Sequence, residues 1–427
     1  FRLSQTIDRL NQVSRALINL AYFKHPKGNS DRKKEYDIPR TQNITKIENY
    51  DDVLVPTYQL PVSIKKDYSN IVGIVSFKSK YKIAGGVKVP KRILCRGTDG
   101  KYHSQLVKCK DDLRQDAVMQ QVFNIMNNLL SYNKTTKHLR IRTYKIVPLS
   151  MRSGILKWAD DSMSIGEYLT GNGKNSLGAH QKYRPMDKLP NTCKRIFGKA
   201  ADKSPQVKLE IYKTLCKSLK PVFHHFFEEF FSQPVMWYER RRAFIHSVAT
   251  TSMCGYILGI GDRHTSNILI DKTTAEVIHI DFGIAFDQGR VLPIPETVPF
   301  RLTRDMVDAM GVSGVEGIFR KSVVTYDCET WVMTKKDEAQ LMTFETKILR
   351  KVYGPLQEEG GTWRIRRNDV VSELNERYDI IIFVKNQRLS WLGYVHRQED
   401  AKTAKKILQW KPIGRPKKEG PERDRYE

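Results

Sequence analysis

The sequence predicts an α+β chain of two lobes, a smaller β-rich lobe followed by a larger and mainly helical one. Three observations carry this expectation. Between Val53 and Leu106, short β-branched runs alternate with Gly, Pro and Asp. From Leu156 to about residue 260 the pattern is mainly helical. Two polar loop segments follow, Gly261-Asp262-Arg263-His264-Thr265-Ser266-Asn267 and Asp281-Phe282-Gly283, set between apolar strand halves.

The first element is a helix, because Leu3, Ile7, Leu10, Val13, Leu17 and Leu20 recur at helical spacing. The chain starts at Phe1, already inside that helix, and is expected to be a piece of a longer protein. Residues 1–55 therefore read as the end of a helical region plus a polar, basic linker around Lys24–Arg40. Residues 56–155 form the β-rich lobe. Its strands are expected at Val53–Val55, Ile71–Val75, Ile93–Cys95 and Gln105–Val107, with Gly97-Thr98-Asp99-Gly100 turning a hairpin between the last two.

A long helix follows, with Asp111 or Asp112 near its start and Val118, Val122, Ile125 and Leu129 at helical spacing. One more strand is expected over Arg140–Val147, before the segment Ser153–Trp158. In the helical lobe, residues 156–321, the run Phe223, Phe226, Phe227, Phe230, Phe231 reads as a buried helix face. A β-hairpin spans residues 268–286, with Ile268–Ile270 and Val277–Ile280 as its strands.

The two polar loops point to phosphoryl-transfer chemistry. Such chemistry needs a proton acceptor, hard oxygen ligands for a divalent cation, and a lysine on the phosphates. Asp262 precedes Asn267 by five positions and Asp281 opens an Asp-Phe-Gly triplet, the offsets of a catalytic loop and a metal-binding loop. Asn267 and Asp281 are the candidate metal ligands, for Mg²⁺ or Mn²⁺. Asp262 is the candidate proton acceptor, and His264 either shares that task or hydrogen-bonds the γ-phosphate. Lys108 ends a strand, and Asp116 on the following helix is its expected carboxylate partner.

Ala84-Gly85-Gly86-Val87 lies where a phosphate loop belongs. Trp158, at the lobe junction, either stacks on an adenine ring or packs internally. A net charge of +26, mostly before residue 322, suits ATP phosphates, other polyanions or an acidic companion face, and equally a solvated basic surface. Six scattered cysteines without CxxC spacing predict free thiols in a reducing compartment rather than a disulfide framework. No run of apolar residues is long enough for a membrane helix, which takes roughly 18, so no membrane partner is expected.

The chain resembles the phosphatidylinositol 3-kinase-related protein kinases. The residues that carry the resemblance are Gly85-Gly86-Val87 through Pro90, Gln105 through Phe123 (including Asp111-Asp112-Leu113-Arg114-Gln115-Asp116), Tyr256-Ile257-Leu258-Gly259, the Asp-Arg-His loop, Glu296 through Asp305, and the GVEG at 314–317. The likeness runs from about Ala16 to about Lys321. It implies a two-lobed kinase fold preceded by the end of a FAT-like helical region. It implies an ATP-dependent serine/threonine protein kinase in DNA-damage signalling, acting on Ser or Thr followed by Gln, with DNA-damage sensor proteins as partners and a nuclear or cytoplasmic address. It makes Lys108 the ATP-phosphate lysine with Asp116 as its partner, Gly85 and Gly86 part of the phosphate loop, and Trp158 the adenine-stacking residue. The Lys157 carbonyl and the Ala159 amide would meet the adenine edge, Asp262 and His264 would form the catalytic pair, and residues 282–305 the activation segment.

The likeness is expected to stop after Ser322. Residues 322–427 resemble instead the region downstream of the polymerase in non-LTR retrotransposon reverse transcriptases, through Tyr326–Trp331, a helix with Leu341, Phe344, Ile348 and Val352, and Gln387–Arg397. Gly414-Arg415-Pro416 resembles the core of an AT-hook, or belongs to a solvated tail. Direct nucleic-acid binding by the tail is a weaker expectation, and no complete domain is expected there. A catalytic lobe ending soon after its activation segment would expose apolar surface at about 25 cal/mol per Å². The chain is therefore expected to be poorly folded beyond residue 305, and weakly active or inactive.

Overall fold

The computed structural model describes residues 2–25, 34–60, 71–84, 89–132, 134–171, 177–188, 190–286, 288–292, 295–296, 298, 300–326, 335–358, 363–374, 379–397, 400 and 405. Gly85, Gly86, Tyr326's neighbours at 327–331 and the Gly414-Arg415-Pro416 segment lie outside these residues. The chain divides into two compact units, residues 1–323 and 324–427.

In the first unit, helix α1 (Arg2–Tyr22) is followed by strands β1 (Glu35–Asp37), β2 (Glu48–Leu54), β3 (Gly73–Phe77), β4 (Lys80–Ile83), β5 (Lys91–Gly97) and β6 (Tyr102–Cys109). Helix α2 (Arg114–Tyr132) comes next, then β7 (Ile146–Ser150) and β8 (Ser153–Lys157). All the pairings are antiparallel, in the order β1-β4-β5-β6-β8-β7, with β3 also on β5 and β2 on β3. The β5–β6 hairpin turns where Gly97-Thr98-Asp99-Gly100 was expected to turn it, closed by the Gly97 amide on the Lys101 carbonyl at 2.9 Å.

The alternating burial of β5 puts Ile93 and Cys95 into the core, where Val107, Ile155 and the α1 residues Val13, Leu17 and Leu20 meet them. The first turns of α1 differ from the periodic pattern: Leu3, Ile7 and Leu10 are exposed. In α2 the difference is larger. Val118, Ile125 and Leu129 face solvent, and the buried face is Asp116, Met119, Gln120, Phe123 and Leu130. Spacing alone fits either stripe; packing chose the one that carries a carboxylate. The strand expected over 140–147 begins only at Ile146, because Ile141 and Tyr144 instead bond to side chains of α2, Asn127 and Gln120.

The second lobe opens with β9 (Ser162–Ser164) and α3 (Ile165–Thr170), capped by Ser164, whose hydroxyl accepts the Glu167 amide at 3.0 Å. Helices α4 (Ala179–Tyr183), α5 (Pro190–Gly198), α6 (Pro205–Ser218), α7 (His224–Phe230) and α8 (Pro234–Leu258) follow. The hairpin β10 (Ile268–Asp271) and β11 (Val277–His279) then joins β9 in a three-stranded sheet. Phe223, Phe226, Phe227 and Phe231 are buried as expected, while Phe230 is exposed. Each buried ring contributes about 1.5–3 kcal/mol of hydrophobic stabilisation.

Residues past 305 also contribute to the core of this unit. Helix α9 (Arg304–Ala309), capped by the Thr303 hydroxyl, and helix α10 (Ile318–Thr325) send Met306, Ala309, Met310 and Phe319 into the same core.

The second unit holds α11 (Lys335–Tyr353), a short hairpin β12 (Leu356–Gln357) and β13 (Trp363–Arg364), α12 (Asn368–Leu374) and α13 (Ile380–His396). Its small apolar cluster is Val324 and Val384 with Leu341, Ile380 and Phe383. The Ile380 amide at the start of α13 donates to Glu345 of α11 at 3.1 Å.

Candidate active site

Helix α8 delivers the first polar loop. It ends at Gly259, whose φ of 58° lies in the left-handed region that glycine enters without a Cβ penalty. The Ile260 amide bonds back to the Gly255 carbonyl at 2.9 Å, and the chain leaves the helix axis into residues 261–267. Hairpin β10–β11 then brings it back. The Ile280 amide donates to the Asn267 carbonyl at 3.0 Å, so Asn267 and Asp281 emerge at the same end of the hairpin.

Asn267 is buried, and its Nδ2 donates to the Asp262 carbonyl at 3.1 Å, with the Asp262 carboxylate oxygen at 3.5 Å. With its nitrogen so committed, the amide presents its oxygen as the remaining acceptor. Asp262 and Asp281 have φ of 55° and 61°, a conformation that costs an L-residue on the order of 1–2 kcal/mol and persists where surroundings enforce it. His264 Nε2 stands 3.9 Å from Asp262 Oδ2, both side chains about half exposed. A cation site of one amide oxygen and one carboxylate suits Mg²⁺, which keeps several waters beside phosphate oxygens.

Arg263 enforces the geometry. It is 3% exposed, and its guanidinium donates to the Gly261 and Ile280 carbonyls, each at 2.8 Å, and to the Asp281 carbonyl. Its carbon sits 5.2 Å over the Phe282 ring. Burial lowers its pKa, an effect that the nearby Asp281 and Asp262 carboxylates oppose. One side chain thus ties the Asp262 loop to the Asp281 loop by main-chain acceptors.

A second tie comes from Glu296. Glu296 Oε2 accepts the Asp262 amide at 2.9 Å, while the Glu296 amide donates to the Gly289 carbonyl at 3.0 Å. Glycine at position 261 leaves room for this approach, since a Cβ there would stand 2.9 Å from Glu296 Oε2 and 2.8 Å from Ile284 Cγ2. Arg301 adds a donor to the Arg263 carbonyl at 3.1 Å.

The helix α2 supplies the link to the β-rich lobe. Asp116 Oδ1 accepts the Phe282 amide at 2.9 Å, and Gln115 Nε2 donates to the Phe282 carbonyl at 2.9 Å, so both main-chain groups of Phe282 are held. The Phe282 ring is buried edge-on against Phe123 at 5.1 Å. Burial raises the Asp116 pKa; the Phe282 hydrogen bond and the Lys108 charge oppose it, and the Asp281 charge adds to it. Asp116 therefore feels both Lys108 and Asp281.

The ion pair of Lys108 differs from the sequence expectation. Lys108 Nζ meets Asp111 Oδ2 at 3.3 Å, at the loop before α2, while Asp116 turns to the Phe282 backbone. The shorter reach of Asp111, three residues away, accounts for the choice.

Trp158 follows β8, its amide on the Ser104 carbonyl at 3.0 Å, with the Arg92 guanidinium 5.1 Å over its ring. Its neighbours Lys157 and Ala159 bond through the Lys157 amide to Lys145 and the Ala159 carbonyl to Ser162. A cavity of about 760 Å³ borders Asp262, lined also by Arg263, Leu292, Glu296, Phe300 and Leu302.

These loops sit inside the stretch that the phosphatidylinositol 3- and 4-kinase family model matches, residues 103–344. The chain belongs to this family. The match continues past Ser322, where the likeness had been expected to stop. Over 328 residues, 76% of the chain, it is 49% identical to the serine-protein kinase ATM of Sus scrofa. It is 47% identical over 333 residues to the serine/threonine-protein kinase ATM of Drosophila melanogaster, and 44% over 303 residues to the kinase tel1 of Schizosaccharomyces pombe. These spans are 78% and 70% of the chain. It covers only 10%, 12% and 10% of those three proteins. A solved structure of the FAT and kinase domain of CtTel1 superposes with a TM-score of 0.68 at 31% identity, covering 94% of this chain and 27% of that one. The open conformation of CtTel1 gives 0.69, at 31% identity, covering 94% of this chain and 14% of that one.

Within this kinase family frame, Asp262, His264, Asn267 and Asp281 stand together, and Asp116 is bonded to the Phe282 amide next to Asp281, with the Lys108 charge acting on it. Gly85 and Gly86 are not among the described residues. Reasoning from sequence missed Arg263, Gln115, Glu296 and Arg301 as positioning groups. All four lie in blocks that carried the resemblance, but nothing in their spacing marks main-chain hydrogen bonds. Five free cysteines are seen among the described residues, and no described helix is long and apolar enough to cross a membrane.

Proposed function

We propose that this chain is a serine/threonine protein kinase of the ATM type, which transfers the γ-phosphoryl group of ATP to a Ser or Thr followed by Gln. The observation that supports it most is the position of Asp116, bonded to the amide after Asp281 and within the field of Lys108. This contact ties the helix that follows Lys108 to the loop proposed to hold the metal.

In this reading Lys108 exchanges Asp111 for the ATP phosphates, and Trp158 with the Lys157 carbonyl and Ala159 amide receives the adenine. Asn267 and Asp281 hold Mg²⁺ or Mn²⁺, which when bound neutralises charge on the phosphate oxygens. Asp262 orients the substrate hydroxyl and takes its proton as oxygen bonds to the γ-phosphorus and the bond to the β-phosphate oxygen breaks. His264 is near enough to steady the Asp262 carboxylate or the transferring group. Arg263 and Glu296 hold the acceptor loop still, so little reorganisation is needed at the moment of transfer. The cavity beside Leu292, Phe300 and Leu302 is the place for the peptide.

DNA-damage sensor proteins as partners and a nuclear location are proposed on the likeness to ATM. The test is transfer of labelled phosphate from ATP to a Ser-Gln peptide by the full chain, with binding of Mg-ATP followed separately by thermal shift. Transfer that is lost with Ala-Gln in place of Ser-Gln supports the proposal. Nucleotide binding without transfer would support instead a kinase-derived fragment that does not catalyse.

A further inference from the structure

A second cluster of chemically competent side chains lies on α7. His224, His225 and Glu228 each offer one ligand atom, and the three atoms lie within 4.8 Å of one another. The spacing explains the convergence: positions i, i+1 and i+4 on one helix place His224 above Glu228, and His225 is three residues from it. His225 Nδ1 is 2.7 Å from Glu228 Oε2. The two imidazole centroids are 3.9 Å apart.

Two further contacts fix the rings. His225 stacks on Tyr183 of α4, with centroids 3.8 Å apart and planes 15° from parallel. His224 Nδ1 meets Asp308 Oδ2 of α9 at 2.7 Å, and the same oxygen accepts the His224 amide at 3.1 Å. A carboxylate on Nδ1 places the proton there and leaves Nε2 as the basic nitrogen, the arrangement by which carboxylates orient metal-binding histidines. Asp308 comes from a different element, so the orientation does not follow from the helical spacing.

We propose that His224, His225 and Glu228 form a binding site for a divalent cation of the Zn²⁺ class, with Asp308 as the positioning carboxylate. Two imidazole nitrogens and one carboxylate oxygen match the donor preference of Zn²⁺ and leave a fourth position for water. Binding replaces the proton shared by His225 and Glu228, which passes to solvent. The cation would fasten the start of α7 to α9 through His224 and Asp308, next to the buried Phe226–Phe227 face.

The test uses the full chain, with Zn²⁺ titrated by calorimetry and Co²⁺ by visible absorption. The cysteines can also take these ions, so the variants decide. The expected result is one equivalent bound with a nitrogen-and-oxygen-type Co²⁺ spectrum. His225→Asn and Glu228→Gln should each weaken this affinity at least ~10-fold, and Asp308→Asn roughly 10-fold, through loss of ring orientation. Glu228 is largely exposed, so Glu228→Gln should melt like the parent without metal. Absence of binding, a thiolate-type spectrum, or equal affinity in parent and His225→Asn/Glu228→Gln double variant would overturn the proposal.

Discussion

The Phe282 amide donates to Asp116 Oδ1 at 2.9 Å, joining helix α2 to the loop that carries Asp281. Because Asp116 is buried, removing its acceptor strands a main-chain donor. Asp116→Ala is expected to cost about 1–3 kcal/mol and lower the melting temperature. Asp116→Asn keeps an oxygen on Phe282 and separates stability from charge. Burial holds the folded-state pKa of Asp116 above its ordinary value, so its contribution is fully present below the unfolded pKa and is lost as pH rises through the folded pKa. The Asn variant should therefore melt no lower than the parent at neutral pH, yet bind ATP more weakly. Thermal melts with and without Mg-ATP at two pH values would show this.

Arg263 satisfies three carbonyls that no ammonium group can reach together. Arg263→Lys is expected to destabilise the chain by roughly 2–3 kcal/mol and to reduce phosphoryl transfer by a larger factor than it reduces nucleotide affinity. A variant that melts and turns over like the parent would mean the two loops are held by other contacts.

His246, on α8, gives a pH prediction. Its Nδ1 faces the Ser322 hydroxyl at 2.9 Å and its Nε2 accepts from Arg242 at 3.3 Å, with the His138 ring centroid at 4.5 Å. Burial first, and then the charges of His138, Arg242 and Lys321, depress its pKa from 6.5 to about 4. Glu239 and Glu276 line a cavity together with His138, Arg242 and His246. A depressed folded-state value means the stabilising contribution is present above the unfolded pKa and lost as pH falls through the folded one. Melting temperature should decline between about pH 6.5 and pH 4 in the parent, and less steeply in His246→Gln. Identical slopes would remove His246 from the acid sensitivity.

Much of this fold was legible because each lobe wrote a local signal. The hairpin at Gly97–Gly100, the β10–β11 hairpin and the buried phenylalanines around α7 follow from turn residues and apolar spacing. The helix α2 shows where such reasoning ends. Its apolar stripe Val118, Ile125 and Leu129 is exposed, and the buried stripe includes a charged group whose partner lies 166 residues away. The main-chain partners of Arg263 and Glu296, carbonyls for the one and an amide for the other, are equally invisible in one dimension, because backbone groups look alike at every position. The pairing of Lys108 with Asp111 rather than Asp116 was missed because composition cannot rank two carboxylates on one loop and helix.

The central claim is that Asp262 accepts the proton while Asp281, with Asn267, holds the metal. The most direct measurement is single-turnover transfer of labelled phosphate to a Ser-Gln peptide by the full chain, alongside Mg-ATP affinity, for the parent, Asp262→Asn and Asp281→Ala. Asp262→Asn should retain nucleotide affinity and lose about 10²–10⁴-fold in rate, whereas Asp281→Ala should lose both metal-dependent affinity and transfer. Undiminished transfer by either variant would contradict the account.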